Sequence, residues 1–119
     1  SIICESGLFC NGTSPDDNMI GTETADKIVG LDGDDRISGG SSGDELRGGT
    51  GNDILSGGSG NDDIFGDSGN DKLSGGSGDD EFTGGDGADT FNCGSGDNDQ
   101  IIDFNEGEGD TKSNDCEIF

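Results

Sequence analysis

Residues 48–65, GGTGNDILSGGSGNDDIF, hold one nine-residue unit written twice, Gly-Gly-x-Gly-Asn-Asp-x-apolar-x. The same frame runs without insertion in both directions, from Gly12 to Asn92. GTSPDDNMI, GTETADKIV, GLDGDDRIS and GGSSGDELR precede the pair, and GDSGNDKLS, GGSGDDEFT and GGDGADTFN follow it. In each unit position one is Gly, position six is Asp and position eight is apolar. The position-six residues are Asp17, Asp26, Asp35, Asp44, Asp53, Asp62, Asp71, Asp80 and Asp89; the position-eight residues are Met19, Ile28, Ile37, Leu46, Leu55, Ile64, Leu73, Phe82 and Phe91. A tenth unit, CGSGDNDQII from Cys93 to Ile102, carries one extra residue. Columns held in phase at a short period mark a stacked repeat rather than a solvated acidic tail.

Each column has a physical task. Gly at positions one, two and four permits φ > 0 and close backbone approach, and Asn, Asp or Gly at position five tolerates the left-handed region. Positions one to six therefore read as a tight turn lined with carbonyls and ending in a carboxylate. Positions seven to nine, polar–apolar–polar, read as a very short strand with one side chain inward. Two units return the chain above its start, so alternate units stack on one flank. One flank aligns Asp17, Asp35, Asp53, Asp71 and Asp89; the other aligns Asp26, Asp44, Asp62 and Asp80, closed by Asn98 or Asp99. Carboxylates stacked ~4.8 Å apart repel unless a cation lies between them. Calcium, with oxygen ligands at roughly 2.3–2.6 Å, suits a mixed carboxylate and carbonyl cage that magnesium resists.

Composition gives the field in which this happens. The 119 residues include 26 Gly and 28 Asp or Glu against 5 Lys or Arg, a formal net charge of −23. Such a polyanion is excluded from charge-driven binding to nucleic acid or anionic membrane, and no apolar run is long enough to insert into a bilayer. Only 24% of the residues are hydrophobic, too few for the core to offset the entropy of ordering the chain. Folding is thus expected to depend on metal: a disordered polyanion in chelator and a roll in millimolar calcium.

Units such as GGTGNDILS and GGSGNDDIF resemble the RTX, or hemolysin-type, calcium-binding nonapeptide repeats. The resemblance covers residues 12–102, and IIDFNEGEGD after them is similar to the flank that closes such arrays. It implies an all-β fold, a right-handed parallel β-roll with two nonapeptides per turn. It also implies calcium between same-flank neighbours, held by turn carbonyls and by Asp35, Asp44, Asp53, Asp62, Asp71, Asp80 and Asp89. Asp17 and Asp26 stand in units without Gly at positions two and four, which puts sites there in question; Asp99 stands one place late. Five rungs per flank leave room for at most about eight ions, with about six expected. Four cysteines set the chain apart from the usually cysteine-poor members of this family that are exported by a one-step route.

Cys4, Cys10, Cys93 and Cys116 lie outside or at the edge of the array, without CxxC spacing or any His, which argues against zinc. Cys4–Cys10 with Cys93–Cys116 would staple each end, one of three connectivities. The expected organisation is an N-terminal cap over 1–11, the roll over 12–102 and a C-terminal cap over 103–119. Disulfides and calcium both point to a secreted, extracellular protein, and a start at Ser1 without Met fits a processed chain. Asn11-Gly12-Thr13 is a glycosylation sequon, although Asn-Gly is also a favoured turn dipeptide.

An enzyme is not expected. There is no His and no activated nucleophile, and pairs such as Asp79 and Asp80 follow from the turn pattern. The expected function is a calcium-stiffened structural β-roll that associates with copies of itself end to end, through Ile2-Ile3, Leu8-Phe9 and Ile118-Phe119, into an extracellular filament. The same apolar pairs would equally serve as caps. A second reading is a calcium-dependent folding module of a larger secreted enzyme, toxin or adhesin. Ice binding would need a flat Thr array, whereas the outward columns mix Ser, Lys, Arg, Glu, Asp and Phe.

Overall fold

The computed structural model describes residues 2–4, 9–13, 16–95, 98–113 and 116–118. Its strands, in chain order, are β1 (Ile2–Ile3), β2 (Phe9–Asn11), β3 (Asn18–Ile20), β4 (Lys27–Val29), β5 (Arg36–Ser38), β6 (Glu45–Arg47), β7 (Ile54–Ser56), β8 (Asp63–Phe65), β9 (Lys72–Ser74), β10 (Glu81–Thr83), β11 (Thr90–Asn92), β12 (Gln100–Ile101), β13 (Thr111–Lys112) and β14 (Glu117–Ile118). Odd-numbered strands form one parallel sheet and even-numbered strands the other. Register within the repeat follows the eighteen-residue turn, with Ile37 opposite Leu55 and Leu55 opposite Leu73. The result is a parallel β-roll with two nonapeptides per turn, as the columns require.

The core is the position-eight column. Met19, Ile28, Ile37, Leu46, Leu55, Ile64, Leu73, Phe82 and Phe91 are all buried, and Cys10 and Ile101 continue the column at either end. At the C-terminal end Phe82 meets Phe91 edge-on at 6.1 Å, and the partly buried Phe104 packs on Phe91 at 6.2 Å. Lys112, half-buried opposite Phe91, takes the apolar place in the last odd strand.

Both sheets continue beyond 12–102: β1 pairs with β3, β2 with β4, β11 with β13 and β12 with β14. Between β12 and β13 the chain makes a short 3₁₀ turn, Glu106–Glu108, entered through the Asn105 side chain and left through Gly109 at φ 99°. Both expected disulfides are present, Cys4–Cys10 and Cys93–Cys116, each at one end of the roll. Among the described residues no helix is long and apolar enough to cross a membrane.

The turns correct the roles read from residue type. Positive φ falls at positions two and four, as at Gly58 (87°) and Gly60 (100°), and at neither position one nor position five. Leu31 and Asp67 accept φ of 73° and 66° because they occupy position two. Position one needs glycine for space rather than for φ: a Cβ on Gly30 would stand 2.5 Å from Asp35 Oδ2 and 2.7 Å from the Gly48 carbonyl oxygen. Where position five is Asp or Asn, its side-chain oxygen accepts a hydrogen bond. Asn52 N–H donates to Asp34, Asn70 N–H to Asn52 and Ala88 N–H to Asn70, at 2.7–2.8 Å.

Candidate metal centre

The position-six carboxylates form two continuous ladders. On the odd flank the main-chain N–H of Asp17 donates to Asp35 Oδ1, Asp35 to Asp53, Asp53 to Asp71 and Asp71 to Asp89, each at 2.8–2.9 Å. On the even flank Asp26 donates to Asp44, Asp44 to Asp62, Asp62 to Asp80 and Asp80 to Asp99. Every rung thus points one carboxylate oxygen back at the preceding rung. The position-five ladder runs the opposite way, with each side chain accepting from the following turn. Asp99 takes the sixth place in the tenth unit, whereas Asn98 donates its N–H to Asp79 in the position-five series.

The other carboxylate oxygen is the chemically informative atom. Oδ2 of Asp35, Asp44, Asp53, Asp62, Asp71, Asp80 and Asp89 is buried and has no hydrogen-bond partner within the protein. A buried ionised carboxylate oxygen without a partner costs several kcal/mol, and a row of them is a strong demand for positive charge. Gly30, Gly39 and Gly66 keep space open beside these atoms. A Cβ on Gly39 would stand 2.6 Å from Asp44 Oδ2 and 2.9 Å from the Gly57 carbonyl; one on Gly66 would stand 2.6 Å from Asp71 Oδ2 and 2.7 Å from the Gly84 carbonyl. A carboxylate oxygen and a carbonyl of the next same-flank turn therefore converge at each such position. Among the described residues no three Asp, Glu, Cys or His side chains converge on one point, so a cation here has to take backbone carbonyls. That donor set, all oxygen and mostly neutral, fits calcium.

Burial drives the carboxyl pKa values upward, reinforced by the like charges of neighbouring rungs and opposed by the amide hydrogen bond from the preceding one. Asp44 and Asp53 are pushed up to about 7, Asp71 to about 8 and Asp89 to about 7. Asp35, Asp62 and Asp80 shift the same way for the same leading reason. In the absence of cations these carboxyls hold their protons to higher pH than an ordinary aspartate.

The ladder ends are closed by the protein. Thr13 donates its N–H and its hydroxyl to Asp17, at 2.6 and 2.8 Å; Thr22 does the same for Asp26, at 2.7 and 3.0 Å. Both threonines stand at position two, where interior units carry Gly, Leu or Asp. At the far end of the odd ladder Asp89 donates to Asp110, whose second oxygen accepts the Asn105 N–H at 2.8 Å. Asp103 accepts the N–H groups of Gly84 and Gly85, both at 2.8 Å. Asp110 was not evident from the periodicity, because the 3₁₀ turn lengthens the last odd step to 21 residues; Asp103 keeps the eighteen-residue step from Gly85 but lies beyond the repeat. The signal was Asp110-Thr111 repeating Asp89-Thr90. On the even flank the pairing of β12 with β14 puts Cys116 in register with Asp99, so the Cys93–Cys116 bridge ends that column. Asn11 is exposed at the end of β2.

The RTX calcium-binding nonapeptide repeat (4 copies) matches residues 11–44, 38–73 and 65–101. No curated protein and no solved structure matches the chain. The overlapping matches cover residues 11–101, which hold the nine in-register units and the position-six carboxylates from Asp17 to Asp99. The chain belongs to the RTX calcium-binding nonapeptide-repeat family.

Proposed function

We propose that this chain is an extracellular, calcium-folded structural β-roll holding about six ions. The observation that carries the reading is the row of buried, partnerless Oδ2 atoms from Asp35 to Asp89. Those residues, with the turn carbonyls, are the proposed ligands, and Asp99 extends the even column. Asp17 and Asp26 act as ladder ends instead, since Thr13 and Thr22 already satisfy their oxygens. Calcium would turn the ladder from a repulsive stack into the element that holds the turns together, so binding free energy becomes folding free energy.

Two disulfides support an oxidising, extracellular location. A role other than catalysis is supported by the absence of His from the sequence and by the use of acid pairs such as Asp79 and Asp80 in ladder hydrogen bonds. Among the described residues, Thr13, Thr22 and Asn105 already hold the carboxylates of Asp17, Asp26 and Asp110 at three ladder ends, which favours capping over end-to-end growth. Of the apolar tail residues, Leu8 and Phe119 lie outside the described residues, as do the side chains of Ile2, Ile3 and Ile118.

The test is a calcium titration followed by circular dichroism and calorimetry, with magnesium as the control. The expected result is cooperative gain of β structure with calcium alone and a stoichiometry near six. A β signature at full strength in excess chelator at pH 8, with disulfides reduced, would sink the reading.

A further inference from the structure

The two broad faces of the roll differ in charge. Among the described residues, the outward side chains of β3, β5, β7, β9, β11 and β13 include no Asp or Glu, in a chain with 28 of them. This odd face instead presents Arg36 and Lys72, two rungs apart, with exposed Ile54 between them. Neither Arg36 nor Lys72 makes an ion pair among the described residues, whereas the cations of the even face are spoken for. Lys27 pairs with Glu45 at 3.2 Å and lies over the Phe9 ring, while Arg47 lies 4.2 Å over Phe65 and reaches Asp67 at 3.6 Å. The even face also carries Asp63, Glu81 and Glu117, pointing outward.

We infer that the odd face of one copy docks on the even face of a second copy, stacking the rolls side by side through their broad faces. The inference rests on the calcium-filled roll proposed above. Charge complementarity carries it: Arg36 and Lys72 oppose the column containing Asp63 and Glu81, and the apolar Ile54 meets a face that includes Phe65. Both faces repeat at the same strand spacing of ~4.8 Å, so Arg36 and Lys72, two rungs apart, can flank the adjacent-rung pair Asp63 and Glu81. Like faces do not match, because odd on odd sets base against base and even on even sets acid against acid. The molecule measures 35 × 28 × 15 Å, with the thin dimension across the two sheets. A face spanned by the two longer dimensions, counting the turns beside the strands, reaches the ~800 Å² per partner of a specific interface. A shallow hollow of about 340 Å³, lined by Ile54, Lys72, Ser56, Ser74, Thr90 and Asn92 among others, lies within the odd face. Joining unlike faces is an open, heterologous contact, so the stack continues. It forms only in calcium, which both folds the faces and lowers the overall repulsion.

Charge-exchange variants studied by sedimentation velocity in calcium test this, with circular dichroism reporting the fold of each sample. Wild-type protein is expected to exceed the monomer mass increasingly with concentration. Arg36→Glu with Lys72→Glu, and separately Asp63→Lys with Glu81→Lys, are expected to fold in calcium yet stay monomeric. Mixing the two variants restores assembly, because the acidic odd face of one meets the basic even face of the other. A folded wild-type chain that remains monomeric overturns the docking and leaves the calcium roll standing, including when it is retained on an anionic polysaccharide matrix through Arg36 and Lys72. Undiminished assembly of the first variant also overturns the docking. A chain that stays unfolded in calcium overturns the roll and the docking together.

Discussion

The main-chain N–H of Asp53 donates to Oδ1 of Asp71 at 2.8 Å, while Oδ2 of Asp71 lies buried without a partner. One carboxylate therefore does two separable things: it accepts a backbone hydrogen bond that ties two turns together, and it leaves an anionic oxygen for a cation.

Asp71→Asn and Asp71→Ala separate them. Asn keeps an acceptor for the Asp53 amide and loses the charge, so the calcium midpoint is expected to rise about tenfold with little loss of metal-free structure. Ala also strands the amide, at a further cost of about 1–3 kcal/mol. Calcium titrations and thermal melts in calcium check the order; equal effects of the two substitutions would count against separate roles.

The raised carboxyl pKa values set the pH dependence. Asp53, Asp71 and Asp89 lie near 7 to 8 in the roll and at about 3.9 in an unfolded chain. The folded state therefore binds more protons between these limits, and metal-free stability falls as pH rises from about 4 to about 8. In chelator the chain is expected to show more β structure at pH 5 than at pH 8. Protons compete with calcium, so the calcium midpoint moves upward on acidification. Circular dichroism over both variables decides, and metal-free structure that increases with pH would contradict the assignment.

Gly66→Ala tests the space kept at position one. The added Cβ would meet Asp71 Oδ2 at 2.6 Å and the Gly84 carbonyl at 2.7 Å, closer than such atoms pack. Loss of at least one ion from the calorimetric stoichiometry is expected, with weaker binding in adjoining turns. Unchanged stoichiometry and midpoint would show that the oxygens beside Gly66 serve no cation.

Thr22→Val removes the hydroxyl donor from Asp26 and keeps the shape of the side chain. The expected cost is about 1 kcal/mol, read as a lower melting temperature with no change in ion count. A fall in ion count would mean that Asp26 is a ligand rather than a closed ladder end.

Reduction of Cys93–Cys116, which spans 23 residues, frees a loop whose closure is worth about 3 kcal/mol by chain entropy. Replacing both cysteines by Ser is expected to raise the calcium needed for folding while leaving the same β spectrum at saturation. Folding at an unchanged calcium midpoint would leave the bridge without a role in stability.

The sequence by itself determined the period, the alternation of flanks, the buried column from Met19 to Phe91 and the acid at every sixth place, because each depends only on residue type at fixed spacing. It also identified Asp17 and Asp26 as departures, through the missing Gly at positions two and four. Tertiary structure alone decided which oxygen of each carboxylate is used and which is left over, since that choice is made by an amide eighteen residues away. It turned position five from a backbone preference into a hydrogen-bonded side-chain ladder. It brought Asp110 to the odd end across a 3₁₀ turn that breaks the count, and it set Cys116 in register with Asp99. The physical reason is the same in each case: contacts between stacked turns depend on rise, register and the direction of N–H groups, none of which a residue's identity specifies until the roll is closed.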